Sequence, residues 1–546
     1  MKTKKILAII LSIAIVFSSL TLVGCSFKSD VMGLIIDEEC VYNKLPLVEY
    51  SEDTYQTTIS NIQKLNDMVV KEEASDLSCQ ILSLLVSTEL YKLIDAVNVA
   101  TLYYYTDTSD EINISGYLDL YDKYSAAFNE FKKLYSLFAN SKYKTIFFGE
   151  DMTDEEIQDL VNQAVVSDEL VELNNKVVEL EQTYDGFSNA QILGSDFDDL
   201  YTDLVKTKTA IAKIYGYDDY LTYSYENEYA REFTPTDTLT YTEALSNGFV
   251  SAAEDAYDNC LNAIDGVSDA RLDEIDAMLG SAFTDEESLT LLDGFYKTLG
   301  EDIYDVYNDF ISNGYYFIAN SKNAYQGAYT NYFVSLNTPY IYFSSSYATV
   351  ETFVHEFGHY LRFYFMGNED GSYELMETHS QGAEWLFVSY LSTILTEDES
   401  AYLSDSKFVN DSYTIALCAV VGAAEVDVYS LESLDAVNYT QIVSKWSKKV
   451  FGNSIPEIYS GYATPEQYFR LVTVNQAGYY ISYSVSLVSS LELYVASLTS
   501  YENAVDIYVK LLETTEYVNT LTENGLYSPF SKEAVESICA VFENVY

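Results

Sequence analysis

The 546-residue chain has three histidines, two tryptophans, six prolines and six cysteines. Only 29 basic side chains face 85 acidic ones, for a formal net charge of −56. So few cations exclude nucleic acid as a partner, because phosphate binding needs clustered Lys and Arg. The scarcity of proline leaves room for long uninterrupted helices. Cys25, Cys40, Cys79, Cys260, Cys418 and Cys539 are spaced too irregularly for a disulfide framework or a metal knuckle. Cys79 and Cys418 lie among apolar residues, as core thiols do. Imidazole chemistry, if there is any, must draw on three residues. What the chain does have is 53 tyrosines and a 48% hydrophobic fraction, enough for large cores and incompatible with wholesale disorder.

The amino terminus reads as an address. Lys2, Lys4 and Lys5 precede a charge-free apolar stretch, Ile6 to Val23. Leu22-Val23-Gly24-Cys25 then resembles the bacterial lipobox, whose cysteine is lipidated and becomes the first residue. The expectation is a lipoprotein signal peptide over 1–24 and an exported chain anchored through Cys25 to the outer face of the cytoplasmic membrane. No other segment is expected to span a membrane. Ile415 to Val426 is short, contains Glu425, and reads as a buried helix.

Helical periodicity dominates from about residue 50 onward. Ile81, Leu82, Leu84, Leu85 and Val86 form a dense apolar run, followed by a stripe at Leu90, Leu93, Ile94 and Val97. Phe128, Phe131, Leu134 and Leu137 continue the pattern, and Val177, Val178, Leu180 and Tyr184 begin another face. All are expected to pack in cores. Thr234-Pro235 marks a boundary between an amino-terminal helical region, 25–235, and a second region, 236–546, that holds every histidine of the chain. One stretch breaks the rule. Tyr315 to Ala319, Tyr332 to Leu336 and Tyr340 to Ser344 are rich in aromatic and β-branched residues and predict a small meander of strands. The fold class is therefore mainly α-helical, a large helical body with a small β meander beside the helix expected around Val350 to Leu361.

That helix carries His355-Glu356-Phe357-Gly358-His359, the HExxH pattern. Val350, Phe353, Val354, Phe357 and Leu361 supply its apolar side. Residues four apart share a helix face, so both imidazoles can reach one ion. Two nitrogen ligands and a carboxylate suit a single Zn²⁺ with a position left open for water. Glu356, about 100° round the helix, can act on that water as general base. Glu374, Glu377 and Glu384 are candidates for the third ligand. Glu377 and Glu384, seven apart, fall on one helix face, so one can bind metal while the other orients an imidazole. Spacing does not choose between them. His379 points elsewhere on the same helix.

These residues resemble the thimet oligopeptidase and oligoendopeptidase F family of zinc peptidases. Glu377-Thr378-His379-Ser380-Gln381-Gly382-Ala383-Glu384 is similar to the family's E-x-x-S-x-x-x-E segment. Gly327-Ala328-Tyr329, Pro339 to Phe343, Ala210 to Tyr217 and Arg231 to Pro235 also resemble family segments. The resemblance runs from about 170 to the carboxyl terminus. It implies that Glu377 is the third zinc ligand, that Glu384 supports a ligand from behind, and that oligopeptides reach the metal through a long channel. It also implies tyrosine hydroxyls that stabilise the oxyanion, for which Tyr480 and Tyr483 in Tyr479-Tyr480-Ile481-Ser482-Tyr483 are the expected carriers. The chain departs from the family in one respect. The family's histidine upstream of this cluster is missing from Leu471 to Gln476, where Asn475 and Gln476 offer only neutral hydrogen bonds. A weakened, peptide-binding lipoprotein that keeps its zinc is thus the alternative to an active peptidase.

Overall fold

Helices begin where the sequence supplies a capping oxygen for the otherwise unbonded first amides. The computed structural model describes residues 41–42 and 51–543, apart from 150–151, 165–166, 247, 368–370, 432–433 and 435. The signal segment, Cys25, Cys40 and most of the turn before Ser372 lie outside the described residues. Contacts divide the chain into two units. One runs to Val171 and includes Asn308–Ala348; the other holds Glu172–Tyr307, Thr349–Met366 and the chain from Gly371 onward.

In the first unit, α1 (Glu52–Lys71), α2 (Asp76–Thr106) and α3 (Glu111–Lys132) pack on one another, capped by Ser51, Ser75 and Asp110. Their core contains Leu90, Leu93, Ile94, Val97, Phe128, Phe131 and Leu134. The start of α2 departs from expectation. Ile81, Leu84 and Leu85 are 59%, 52% and 43% exposed, whereas Val86 is sealed. A run that is apolar all round carries no phase, so its sequence could not say which side faces inward.

The sheet of this unit is not a meander. Its order is β1 (Val41–Tyr42), β2 (Tyr316–Ala319), β4 (Thr338–Ser344), β3 (Ala328–Phe333). β2 runs parallel to β4, and β3 and β4 form an antiparallel hairpin. The chain therefore passes β4's position before returning to it. The hairpin turns at 334–337, where a strand was expected to continue. Asp95 of α2 accepts the Val334 and Ser335 amides at 2.9 and 2.7 Å, and Asn337 takes φ 51°. Amides held by a side chain are lost to a ladder, and Asn tolerates the left-handed turn.

The second unit is built of helices: α4 (Tyr220–Asn227), α5 (Pro235–Leu245), α6 (Phe249–Gly266), α7 (Val350–Met366), α8 (Tyr373–Leu391), α9 (Glu397–Tyr429), α10 (Ile481–Thr499) and α11 (Tyr501–Leu512). Thr234-Pro235 opens α5 inside this unit, with Thr234 as cap and proline in the first turn, where a missing N–H costs nothing. α8 packs between α7 and α10, and α9 packs on α5, α6 and α10. Trp385, Leu386 and Leu391 of α8 are fully enclosed, each contributing about 2–3 kcal/mol by burial. Contrary to the sequence expectation, α2, α9 and α10 are all long and apolar enough to cross a membrane by length and composition. The most apolar windows of α9 and α10 are 83% and 78% buried, so their apolar surface is spent on protein; in α2 the figure is 33%. Charge counting missed them because a helix can carry a Glu such as Glu425 in its core if a partner satisfies it. Cys79, Cys260, Cys418 and Cys539 are buried free thiols.

Candidate metal centre

Helix α7 is oriented by its apolar side. Val350, Phe353, Val354, Phe357 and Leu361 are all fully buried, with Phe353 stacked on Phe283 and Phe357 edge-on to Tyr296. Thr349 starts the helix, its hydroxyl accepting the Thr352 amide at 3.2 Å. With that side fixed, His355 and His359 share the opposite face, their rings 5.1 Å apart. Ser372 caps α8 through the Leu375 amide, and one turn later Glu377 faces the imidazoles.

One donor atom from each of His355, His359 and Glu377 lies within 4.8 Å of the others. Glu377 Oε2 stands 4.0 Å from His355 Nε2 and 3.8 Å from His359 Nε2. These gaps are too long for hydrogen bonds. Three tetrahedral zinc ligands at about 2.0–2.2 Å from an ion would lie roughly 3.3–3.6 Å apart, so the donors surround a space of about the right size. The electrostatics of Glu377 and His359 also suit a cation. Burial pushes the Glu377 acid up to about 7 despite the His355 charge, and Glu356 adds to the rise. Burial, with His355 next, drives His359 well below the usual imidazole range, leaving a neutral ring. A buried carboxylate short of positive charge beside a neutral imidazole is a donor set that a divalent ion would relieve.

Behind His355 stands a second layer. His355 Nδ1 donates to Glu384 Oε1 at 2.6 Å, which leaves Nε2 facing the cluster. Burial opposes the imidazolium, but this bond and the Glu384 charge carry His355 to about 9. Glu384 Oε2 accepts from Lys407 at 2.6 Å, and Lys407 also pairs with Asp411 at 3.2 Å. Burial alone would raise Glu384; Lys407 and His355 outweigh it and hold the acid at about 2. Lys407 and Asp411 also line a cavity with Glu384, Glu351, Asp276 and Asn410.

The other glutamates and tyrosines sort clearly. Glu356 is 6% exposed and close enough for its charge to act on Glu377 and His355. Glu374 is not in the cluster; it pairs with Arg231 at 2.7 Å, both side chains fully enclosed. His379 is sealed in α8, donating from Nε2 to the Leu511 carbonyl at 2.9 Å. Asn475 is exposed and donates to Asp185. Tyr483 stands near the cluster with both Tyr479 and Tyr480 rings against it, at 5.4 and 5.8 Å, but only Tyr479 meets it through the hydroxyl. The Tyr479 hydroxyl is 3.4 Å from Glu377 Oε1 and 3.3 Å from the Tyr483 hydroxyl. Tyr480 turns edge-on to Tyr468, among Cys418 and Glu425. Helical spacing does not separate the two, since 479 and 480 both precede α10 and lie four and three residues from 483. Lys407 and Arg231 carried no spacing signal.

An HExxH helix, a second helix supplying a carboxylate and a tyrosine pair beside it make up this candidate metal centre of a helical body. The fold around it is that of the oligoendopeptidase F peptidases. A candidate oligoendopeptidase F matches 91% of this chain over 97% of its own, with a TM-score of 0.67 and 14% identity. PZ peptidase A with an inhibitor matches 90% over 96%, TM-score 0.62 and 15% identity. Oligoendopeptidase F from Enterococcus faecium matches 90% over 96%, TM-score 0.55 and 13% identity. No sequence-family profile and no curated protein sequence matches the chain.

Proposed function

We propose that the chain is a zinc-dependent peptidase acting on oligopeptides. The observation that carries this reading is the convergence of His355, His359 and Glu377 beside Glu356 and two phenols, on a fold shared with peptidases. His355, His359 and Glu377 would hold one Zn²⁺, which when bound supplies Lewis acidity that acidifies water and polarises a carbonyl. Glu356 takes the proton of the attacking water and returns it to the leaving amine. Tyr479 and Tyr483 donate to the oxygen that gains charge. Burial raises both phenols, Tyr479 well above its ordinary range, so they are protonated donors at neutral pH.

The test is mature protein against Glu356→Gln on a quenched peptide library with zinc present. Wild type should exceed the variant by at least about a hundredfold. Equal rates would sink the enzyme reading. A second reading, peptide binding with poor turnover, draws on one observation: His379 is sealed away and Asn475 bonds Asp185, so no third imidazole serves the cluster. Peptide affinity without cleavage would favour it. The lipobox-like segment supports an exported, lipid-anchored location. Cys25→Ser should then shift the protein from the membrane to the soluble fraction, and an unchanged distribution would count against the anchor.

A further inference from the structure

Resting on the peptidase reading, we propose that Arg231 is a positioning residue that sets the tyrosine pair over Glu377. It lies between α4 and α5 and touches neither the metal donors nor the phenol hydroxyls. Its Nε donates to Glu374 Oε1 at 2.7 Å, and Nη1 to the Gly478 carbonyl at 2.7 Å. Nη2 donates to the Tyr479 carbonyl at 3.2 Å and to Ser482 Oγ at 2.7 Å, and Ser482 donates onward to Glu374 at 2.6 Å. Glu374 is one turn before Glu377 on α8; Gly478 to Ser482 is the segment that carries Tyr479 into α10. One planar guanidinium thus ties the turn that presents the metal carboxylate to the backbone that presents the phenols.

The segment is restrained from its other sides as well. The Gly478 amide donates to Glu425 at 2.9 Å, and the Tyr229 hydroxyl donates to the Ala477 carbonyl at 2.8 Å. Gly478 takes φ +78°, and a Cβ there would meet Leu221 at 2.9 Å. Tyr225 and Tyr229 cover the guanidinium at 4.1 and 4.5 Å. A buried ion pair adds little net stability compared with an apolar pair of similar shape. Its fork geometry, by contrast, fixes four acceptors at once, which a lysine ammonium cannot reproduce.

The experiment is a double-mutant cycle of Arg231→Lys and Tyr479→Phe, with kcat and KM measured on zinc-loaded protein. Arg231→Lys should lower kcat by about 10- to 100-fold, as expected for misplaced groups, with KM changed less than about threefold. In the Tyr479→Phe background the same substitution should cost less than about threefold, because its target is already gone. Cobalt-loaded protein gives a readout independent of turnover. Tyr479→Phe should shift the visible absorption band through Glu377, and Arg231→Lys should reproduce that shift. Additive losses, or a cobalt band unmoved by Arg231→Lys, would overturn the proposal. If Arg231→Lys does not fold, Ser482→Ala enters the same cycle with the same criteria. If wild type hydrolyses nothing, the peptidase reading fails and the cobalt arm alone decides whether Arg231 sets Tyr479.

Discussion

Two buried ion networks approach the donor cluster, and they work differently. Lys407, with Asp411, ends on Glu384 and through it on one imidazole. Arg231, with Glu374, ends on backbone carbonyls and through them on a pair of phenols. The lysine supplies a point charge that keeps a carboxylate ionised behind an imidazole of the donor cluster. The arginine supplies a flat, directional fork that holds a loop in place. Charge at one node and geometry at the other is the division that the chemistry of the two side chains leads one to expect.

Removing the charge should have the largest effect. Lys407→Met leaves Glu384 and Asp411 enclosed without their cation, a loss of about 3–5 kcal/mol in apoprotein denaturation and about tenfold or more in zinc affinity. Unchanged zinc affinity in a competition titration would reduce this node to packing. A pH experiment sharpens the other node. Burial raises the Glu425 acid, beneath the Gly478 amide, to about 8 from an ordinary 4.5. Between those values the folded state holds a proton that the unfolded chain has lost. Its contribution is full below about pH 4.5 and is lost as pH rises through about 8, by roughly 1.4 kcal/mol per unit. Glu425→Gln should therefore show a flatter decline in melting temperature from pH 5 to 8 than wild type, and parallel declines would contradict the assignment. The smallest effect is expected at Tyr480, which neither network positions near Glu377. Tyr480→Phe should keep kcat/KM within about twofold of wild type; a loss as large as that of Tyr479→Phe would return Tyr480 to the site.

Much of this arrangement could be read from spacing, because helices convert spacing into faces. His355 and His359 at four, and Glu377 and Glu384 at seven, needed only helical geometry to be placed together. The resemblance then assigned the roles that geometry left open. Tyr479 and Tyr480 could not be told apart by that rule, because both precede α10 and the turn that orients them is held by tertiary contacts. Arg231 and Lys407 were not legible as a pair of nodes. Their partners lie 143 and 23 residues away in sequence, and no local pattern encodes a contact made by tertiary packing. The sheet failed for a related reason: strand content follows composition, but the parallel pairing of β2 with β4 and the Asp95-held turn are long-range facts. The exposed start of α2 shows the opposite limit, a run too uniformly apolar to reveal its own orientation.

Gly358, inside HExxH, has a consequence for which sequences can build this site at all. A Cβ there would sit 2.4 Å from the His379 carbonyl oxygen and 2.7 Å from the Ser380 Cα, both backbone atoms of α8. Glycine costs a helix interior about 1 kcal/mol relative to alanine, and here that cost accompanies an approach of α7 to α8 that no other residue permits. The variable fourth place of the motif is therefore not variable in this architecture. A chain reading HExAH could keep all three donors in sequence and still fail to bring the second helix close enough to offer its carboxylate.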